Sequence, residues 1–358
     1  MGLLFLHWFG KLVVPATSFV VENKEWLKFA PMATFPTTSL DRPLRIAFLG
    51  TPEFAAVCLE GLLASSHDLI GVVTAPDRPA GRGQRMQASE VKIAAEKHGL
   101  PVLQPTNLKA PEFLEAFKFW EVDVAVVVAF RMLPEVVVWN APPFGTINLH
   151  ASLLPNLRGA APIHRAIMAG LKETGVTTFS LQHNIDTGDI LLQCSTPIEP
   201  FEDTGNLHDR LAQLGQALIV QTLNDLIAGE LQGIPQHVYP DVGSVLDAPK
   251  LFKPDCRIDW NRSCQANLDH IRGLHPFPKA WTPSPLGDLK ILQAKQHNRL
   301  FSKDLAGTAI VHENNLILAC SDGWIQIEKL VPPGKKPMTG AAWINGLGSQ
   351  TLGVWNIS

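Results

Sequence analysis

Several protein classes are excluded by what this 358-residue sequence lacks. Its five cysteines, Cys58, Cys194, Cys256, Cys264 and Cys320, are odd in number and scattered. Cys256 and Cys264 stand too far apart for a Cys-x-x-Cys knuckle and have no matching second pair, so neither a disulfide framework nor a metal site is expected. A reducing cytoplasm is the compartment that fits such usage. Neither sign of charge dominates: 30 Lys and Arg face 33 Asp and Glu, for a net charge of −3 and a pI of about 6.5. With no global basic footprint, any contact with nucleic acid must come from local patches. Long apolar runs are also missing. The amino-terminal stretch is interrupted by His7, Gly10 and Lys11, and the segment from Lys11 to Glu22 is too short to span a membrane. It has no basic leader for a signal peptide, and too little Arg and Ser, with Glu22 and Glu25, for a transit peptide. The three-glycine dinucleotide fingerprint is absent. Gly50-Thr51-Pro52 follows the first strand, while Gly81-Arg82-Gly83 lacks the third glycine and follows the second. There is no internal repeat and no coiled coil.

A 46% hydrophobic and 18% charged composition suits a globular chain with a sizeable core, and the length suggests two domains. Residues 1–43 read as an extension, either disordered or an artefact of start-codon choice. From Leu44 the pattern turns regular. Leu44 to Gly50 reads as a buried strand, with Thr51 as N-cap and Pro52 as first residue of the helix that follows. Strands and helices alternate to about residue 229, with Asp123 to Ala129 an unbroken β-branched strand, which predicts a parallel sheet with helices on both faces. Helices are expected over 162–170 and 204–229, the latter with Leu207, Leu211, Leu214, Leu218 and Leu223 on its buried stripe. Residues 230–250, with the single tyrosine Tyr239, read as a linker. From about Leu251 short strands separated by Gly and Asn turns predict a small β-barrel.

The chemistry concentrates in residues 145–189. Thr146-Ile-Asn-Leu-His150 is strand-like and then gives way to loop residues, so His150 sits at a strand's carboxyl end, where α/β sheets place their ligands. Asn148, two residues earlier, shares its face. An amide beside an imidazole can hold an oxyanion and move a proton. Taken singly, His150 also reads as a hydrogen-bonded structural residue and Asp186 as a turn carboxylate. The loop Pro76 to Arg85, with three arginines among Gly and Pro, reads as either a solvated loop or a flexible basic finger for phosphates or a single-stranded RNA end. Gly334-Lys335-Lys336-Pro337 is equally open between a solvated hairpin and a basic contact.

Taken together, Asn148-Leu-His150, Ser152-Leu153-Leu154-Pro155, Arg158-Gly-Ala-Ala-Pro162 and Asp186-Thr-Gly-Asp189 stand in the order of the signature of the folate-dependent formyltransferases. The resemblance covers about residues 44–345. The fold it implies is α/β: a Rossmann-like parallel-sheet formyltransferase domain over 44–229, then an OB-like β-barrel over 251–358 that binds tRNA. The activity it implies is formyl transfer from 10-formyltetrahydrofolate, without a metal, to the amino group of methionine on initiator tRNA. Asn148, His150 and Asp186 would then be catalytic, with Asp186 the partner of His150. Ser152, Leu153, Leu154 and Pro155 would face the folate, and Arg82, Lys335 and Lys336 would contact tRNA. The chain is expected to act as a monomer, off the membrane. Met32 lies about where chains of this family begin. In many of them a Tyr-Gly and one further apolar residue precede the proline of the loop that lines the pteridine pocket. Here that loop, Phe130-Arg131-Met132-Leu133-Pro134, is shorter and carries Arg131. Glycinamide ribonucleotide formylation, sugar-nucleotide formylation and hydrolysis of the folate use the same three residues. The Arg82 loop and the separate carboxyl-terminal domain favour tRNA among these. Occupation of all three positions argues against a non-catalytic tRNA-binding protein.

Overall fold

The computed structural model describes residues 14–15, 33–34, 40–80, 83–130, 136–239, 245–297, 306–347 and 355–356. The remaining positions, with most of the amino-terminal extension, Arg82 and the 131–134 loop among them, lie outside the described residues.

The first compact unit comprises residues 1–159, 174–196 and 209–247. Its sheet is built from β1 (Arg45–Gly50), β2 (Asp68–Val73), β3 (Val102–Leu103), β4 (Val124–Val128), β5 (Thr146–His150), β6 (Glu173–Ser180) and β7 (Ile190–Pro197). The order is β7-β6-β5-β4-β1-β2-β3, with Val14–Pro15 beyond β7. Pairing is parallel from β5 to β3, and β6 is antiparallel to β5. Every residue of β4, Val-Ala-Val-Val-Val, is buried, as expected for a strand covered on both faces. Each such valine contributes roughly 1.5–3 kcal/mol relative to exposure. The chain runs outward from β1 in both directions, so β1 and β4 flank the topological switch point of the sheet.

The helices follow the capping chemistry with one exception. Ser89 accepts the Lys92 N–H at the start of α2 (Glu90–Lys97), and Pro111 opens α3 (Pro111–Phe119). For α1 (Glu53–Leu63) the capping position is Pro52, in extended conformation and without a side-chain cap, not Thr51 as the sequence suggested. Thr51 Oγ1 is buried and has no hydrogen-bond partner among the described residues, so it caps no helical amide. The described part of the basic finger is not a loose loop. Arg78–Ala80 pairs antiparallel with Arg85–Gln87, and Asp77 anchors its base through Lys92 Nζ at 2.7 Å and Gln104 Nε2 at 2.8 Å. Those two partners hold the Asp77 carboxyl below the usual carboxylate range. In the helix Thr204–Ala228, Leu207, Leu211, Leu218 and Leu223 are fully buried and Leu214 is half-buried.

The second unit gathers residues 160–173, 197–208 and 248–358. It holds α4 (Pro162–Met168) and, counting the Thr204–Ala228 helix as α5, α6 (Cys264–Gly273), which Ser263 caps at the Ala266 N–H. Its antiparallel sheet runs β8 (Ala280–Thr282), β9 (Leu289–His297), β12 (Trp324–Val331), β11 (Asn315–Ala319), β10 (Thr308–His312), then Trp355–Asn356. Trp260, Ile271, Leu274, Ile291, Ile325 and Trp343 belong to its core. This antiparallel sheet is compatible with an OB-like barrel, whose closure the described pairings do not include. Among the described residues no helix is long and apolar enough to cross a membrane.

Candidate active site

The carboxyl end of β5 carries Asn148 and His150 on alternate residues, in register with Phe179 and Thr177 of β6. The two side chains therefore share one face of the sheet. His150 is 7% exposed. Its Nε2 lies 2.8 Å from the Leu157 carbonyl oxygen, and because a carbonyl only accepts, Nε2 is the nitrogen that carries the hydrogen. Nδ1 faces Asp186 Oδ2 at 3.6 Å, an ion-pair distance longer than a hydrogen bond. The Asp186 carboxylate is tethered on its other side by the Gly159 N–H, at 2.9 Å from Oδ2. The fold thus joins the expected partners. Asn148 is half-buried, and its amide has no hydrogen-bond partner among the described residues, which leaves it free to donate.

The backbone around the imidazole adopts conformations that L residues seldom take. Leu157, whose oxygen holds Nε2, has φ +61°, and Asp186 has φ +52°. Ala129, directly after β4, has φ +45°. Each such residue costs of order 1–3 kcal/mol and persists only where its surroundings hold it. Gly188 is demanded by space: a Cβ there would run into the Ser180 carbonyl oxygen. Beside it, burial pushes the Asp189 carboxyl above the usual carboxylate range, against the pull of His237.

Ser152 to Pro155 form the turn after His150. Ser152 is fully buried, its Oγ donating to the Asn156 carbonyl at 2.6 Å, and Leu154 and Pro155 are buried while Leu153 is half-buried. One hydroxyl holds this turn. Thr177 Oγ1 donates to the Ser152 carbonyl at 2.6 Å and accepts from the Leu154 N–H at 3.1 Å and Gln193 Nε2 at 3.0 Å. Gln193 also donates to the Leu154 carbonyl at 2.8 Å. Sequence reasoning passed over Thr177 and Gln193, although a glutamine inside the apolar strand Ile-Leu-Leu-Gln-Cys was a visible signal. It also passed over Gln236, which lay in the stretch read as linker. That side chain is 3% exposed, its Oε1 accepting from Arg158 and its Nε2 donating to the Asp186 and Gly188 carbonyls.

Lys335 and Lys336 are exposed in the turn between β12 and Met338–Thr339 of the second unit, where Lys335 N–H closes on the Pro332 carbonyl. Arg82 lies outside the described residues, as does Arg131 of the loop expected at the pteridine. Among the described residues no three of His, Cys, Asp and Glu come together as metal ligands would.

Comparison with known proteins places both domains of the chain in one family. Residues 44–223 match the family model described as Formyl transferase, and residues 250–348 match that described as Formyl transferase, C-terminal domain. A methionyl-tRNA formyltransferase of Bacteroides fragilis is 45% identical over 298 residues, which are 82% of this chain and 92% of the relative. That of Parabacteroides distasonis is 44% identical over 310 residues, 85% and 95% of the two chains. Among solved structures, an N-formyltransferase from Helicobacter canadensis, in complex with folinic acid and dTDP-3-aminofucose, superposes with a TM-score of 0.60. It is 18% identical, over 79% of this chain and 98% of that one, which speaks for the fold.

Proposed function

The chain belongs to the formyl transferase family, and from that premise we infer that it transfers a formyl group from 10-formyltetrahydrofolate to the amino group of methionyl-tRNA. The observation that carries the substrate is the match, close to full length, with methionyl-tRNA formyltransferases. We take the acceptor to be the initiator tRNA, and the working form to be a monomer in a reducing cytoplasm. All five cysteines are free and buried, as that compartment allows.

The reaction forms one C–N bond and breaks another. The neutral methionyl amine attacks the formyl carbon, whose oxygen becomes an oxyanion. The tetrahedral centre then collapses, expelling the folate nitrogen N10, which takes up the proton that the amine gives up. The free amide of Asn148 is the donor for the oxyanion, and a donor so placed lowers a barrier by roughly 3–4 kcal/mol. His150 exchanges the proton. Its Nε2 is committed to Leu157, so Nδ1, on the Asp186 side, is the nitrogen that does so. General acid–base help of this kind is worth on the order of 10²–10⁴-fold, and Asp186 orients the ring. The long Nδ1 to Oδ2 distance suits a resting enzyme whose catalytic contacts tighten on the substrate. Ser152, Leu153, Leu154 and Pro155 form the wall against the folate, and Arg82, Lys335 and Lys336 contact the tRNA phosphates.

The test is to supply purified protein with 10-formyltetrahydrofolate and methionine-charged initiator tRNA and to follow formyl-methionine. Elongator methionyl-tRNA and glycinamide ribonucleotide run beside it. Product with the initiator alone is expected; product with glycinamide ribonucleotide alone would move the chain to another branch of the family.

A further inference from the structure

Gln236 has no part in the mechanism above, yet it is buried and every polar atom of its amide is engaged. Oε1 accepts from Arg158 Nε at 2.9 Å and Nη2 at 2.6 Å, while Nε2 donates to the carbonyl oxygens of Asp186 at 2.9 Å and Gly188 at 2.8 Å. The orientation of this amide is unambiguous. A guanidinium only donates and a carbonyl only accepts, so flipping the amide would set NH₂ against Arg158 and an oxygen against two carbonyls.

We propose that Gln236, oriented by Arg158, is a positioning residue for formyl transfer that sets the Asp186–Gly188 turn and thereby the Asp186 carboxylate beside His150. Asp186 sits at φ +52°, which its surroundings must hold in place. Its carboxylate receives one N–H, from Gly159. Its backbone is held by Gln236, so the two tethers grip the residue at both ends. Without the second, the carboxylate could swing about the Gly159 bond and leave Nδ1. Arg158 stands in the loop that also supplies Leu157, the residue whose carbonyl holds His150 Nε2. The same strap therefore ties together the segments that face both nitrogens of the ring.

The proposal rests on the roles given above to His150 and Asp186, and the experiment separates the two. Gln236→Leu, Gln236→Glu, Asp186→Ala and the Asp186→Ala/Gln236→Leu double variant are compared for kcat, for KM of both substrates and for thermal midpoint. Gln236→Glu keeps acceptors for Arg158 but sets a carboxylate against the two carbonyls, so it tests the strap with its other end still paired. Both Gln236 variants are expected to lose up to about 100-fold in kcat, as misplacement of a reacting group does, with each KM within about twofold. Once Asp186 is alanine, removing Gln236 should cost less than about twofold more, because groups that act as a unit are not additive. Full activity of either single variant, an equal further loss in the Asp186→Ala background, or a kcat loss that follows loss of folded protein would overturn the proposal. An Asp186→Ala enzyme of normal kcat would instead overturn the catalytic reading of Asp186, and this proposal with it.

Discussion

Two clusters at opposite ends of the parallel sheet, around Asp123 and around His150, are built on opposite terms. At the amino end Asp123 precedes β4 and is closed in by Arg42, whose Nη1 and Nη2 lie 2.6 and 2.7 Å from its two oxygens, and by the Arg45 N–H at 2.8 Å. Arg45 in turn donates from Nε to the Glu121 carbonyl and from Nη2 to that of Trp120. Every donor and acceptor named in this cluster around Asp123 is matched, with hydrogen-bond distances of 3.0 Å or less. At the carboxyl end Asn148 has no partner among the described residues, Thr51 Oγ1 is buried without one, and His150 stands 3.6 Å from Asp186. Ala129, Leu157 and Asp186 all have positive φ there. The cluster at Asp123 is thus locked, while the one at His150 holds unmatched groups. Chemistry needs the second condition, since a donor already satisfied by the protein cannot stabilise an oxyanion in the transition state.

The comparison can be broken most directly at the carboxyl end. Asn148→Ala or His150→Ala should lower kcat for formyl-methionyl-tRNA by about 10²–10³-fold. For Asn148→Ala the thermal midpoint should stay where it is or rise, because the unmatched amide contributes nothing to folding. His150→Ala also loses a buried ring and its bond to the Leu157 carbonyl, and should lower the midpoint modestly. A fall in midpoint large enough to explain the kinetics would erase the distinction between the two ends. Gly188→Ala is next, and it should damage both properties. Its Cβ would strike a backbone oxygen, costing about 1–3 kcal/mol or more, and the shift would pass into Asp186 two residues away. Denaturant titration and kcat should move together.

At the amino end, Asp123→Asn should lower the thermal midpoint by a few degrees and leave kcat alone. Burial alone would raise the Asp123 carboxyl, but the Arg42 guanidinium and the Arg45 N–H outweigh it and hold the group below the usual carboxylate range. A lowered folded pKa means stability that is present above the unfolded value of about 3.9 and is lost as pH falls through the folded one. Urea midpoints of the native chain should therefore decline more steeply than those of Asp123→Asn as the solution is acidified below that value. Parallel curves would show that the ion pair contributes nothing. The smallest effect belongs to neither end. Lys335→Ala with Lys336→Ala should raise KM for charged tRNA a few-fold, leave KM for the folate unchanged and flatten the salt dependence of tRNA binding.

The share of this that could be read in advance follows the range of each interaction. β1 and β4 were legible because a strand buried on both faces needs a contiguous apolar run, and Ile46 to Leu49 and Val124–Val128 supply one. The hydrophobic stripe of the Thr204–Ala228 helix was legible from its period. Asn148 and His150 were legible as a pair because alternation on a strand is a local rule. The start of α1 was misread by one residue, since Thr-Pro-Glu satisfies two capping registers and only the path of the turn selects between them.

By itself, then, the sequence determined the alternation of strands and helices, and it placed the side chains proposed to act at the carboxyl end of one strand. Period, turn propensity and motif all lie in neighbouring residues. Only the tertiary structure decided that Asp186 reaches His150, that Thr177 and Gln193 hold the turn after it, and that Gln236 ties Arg158 to the Asp186 turn. Those bonds join residues from distant parts of the chain, and a glutamine bound for the interior looks, among its neighbours in sequence, like one bound for water. Closing the long loops between them makes the difference, and loop closure is a property of the whole fold.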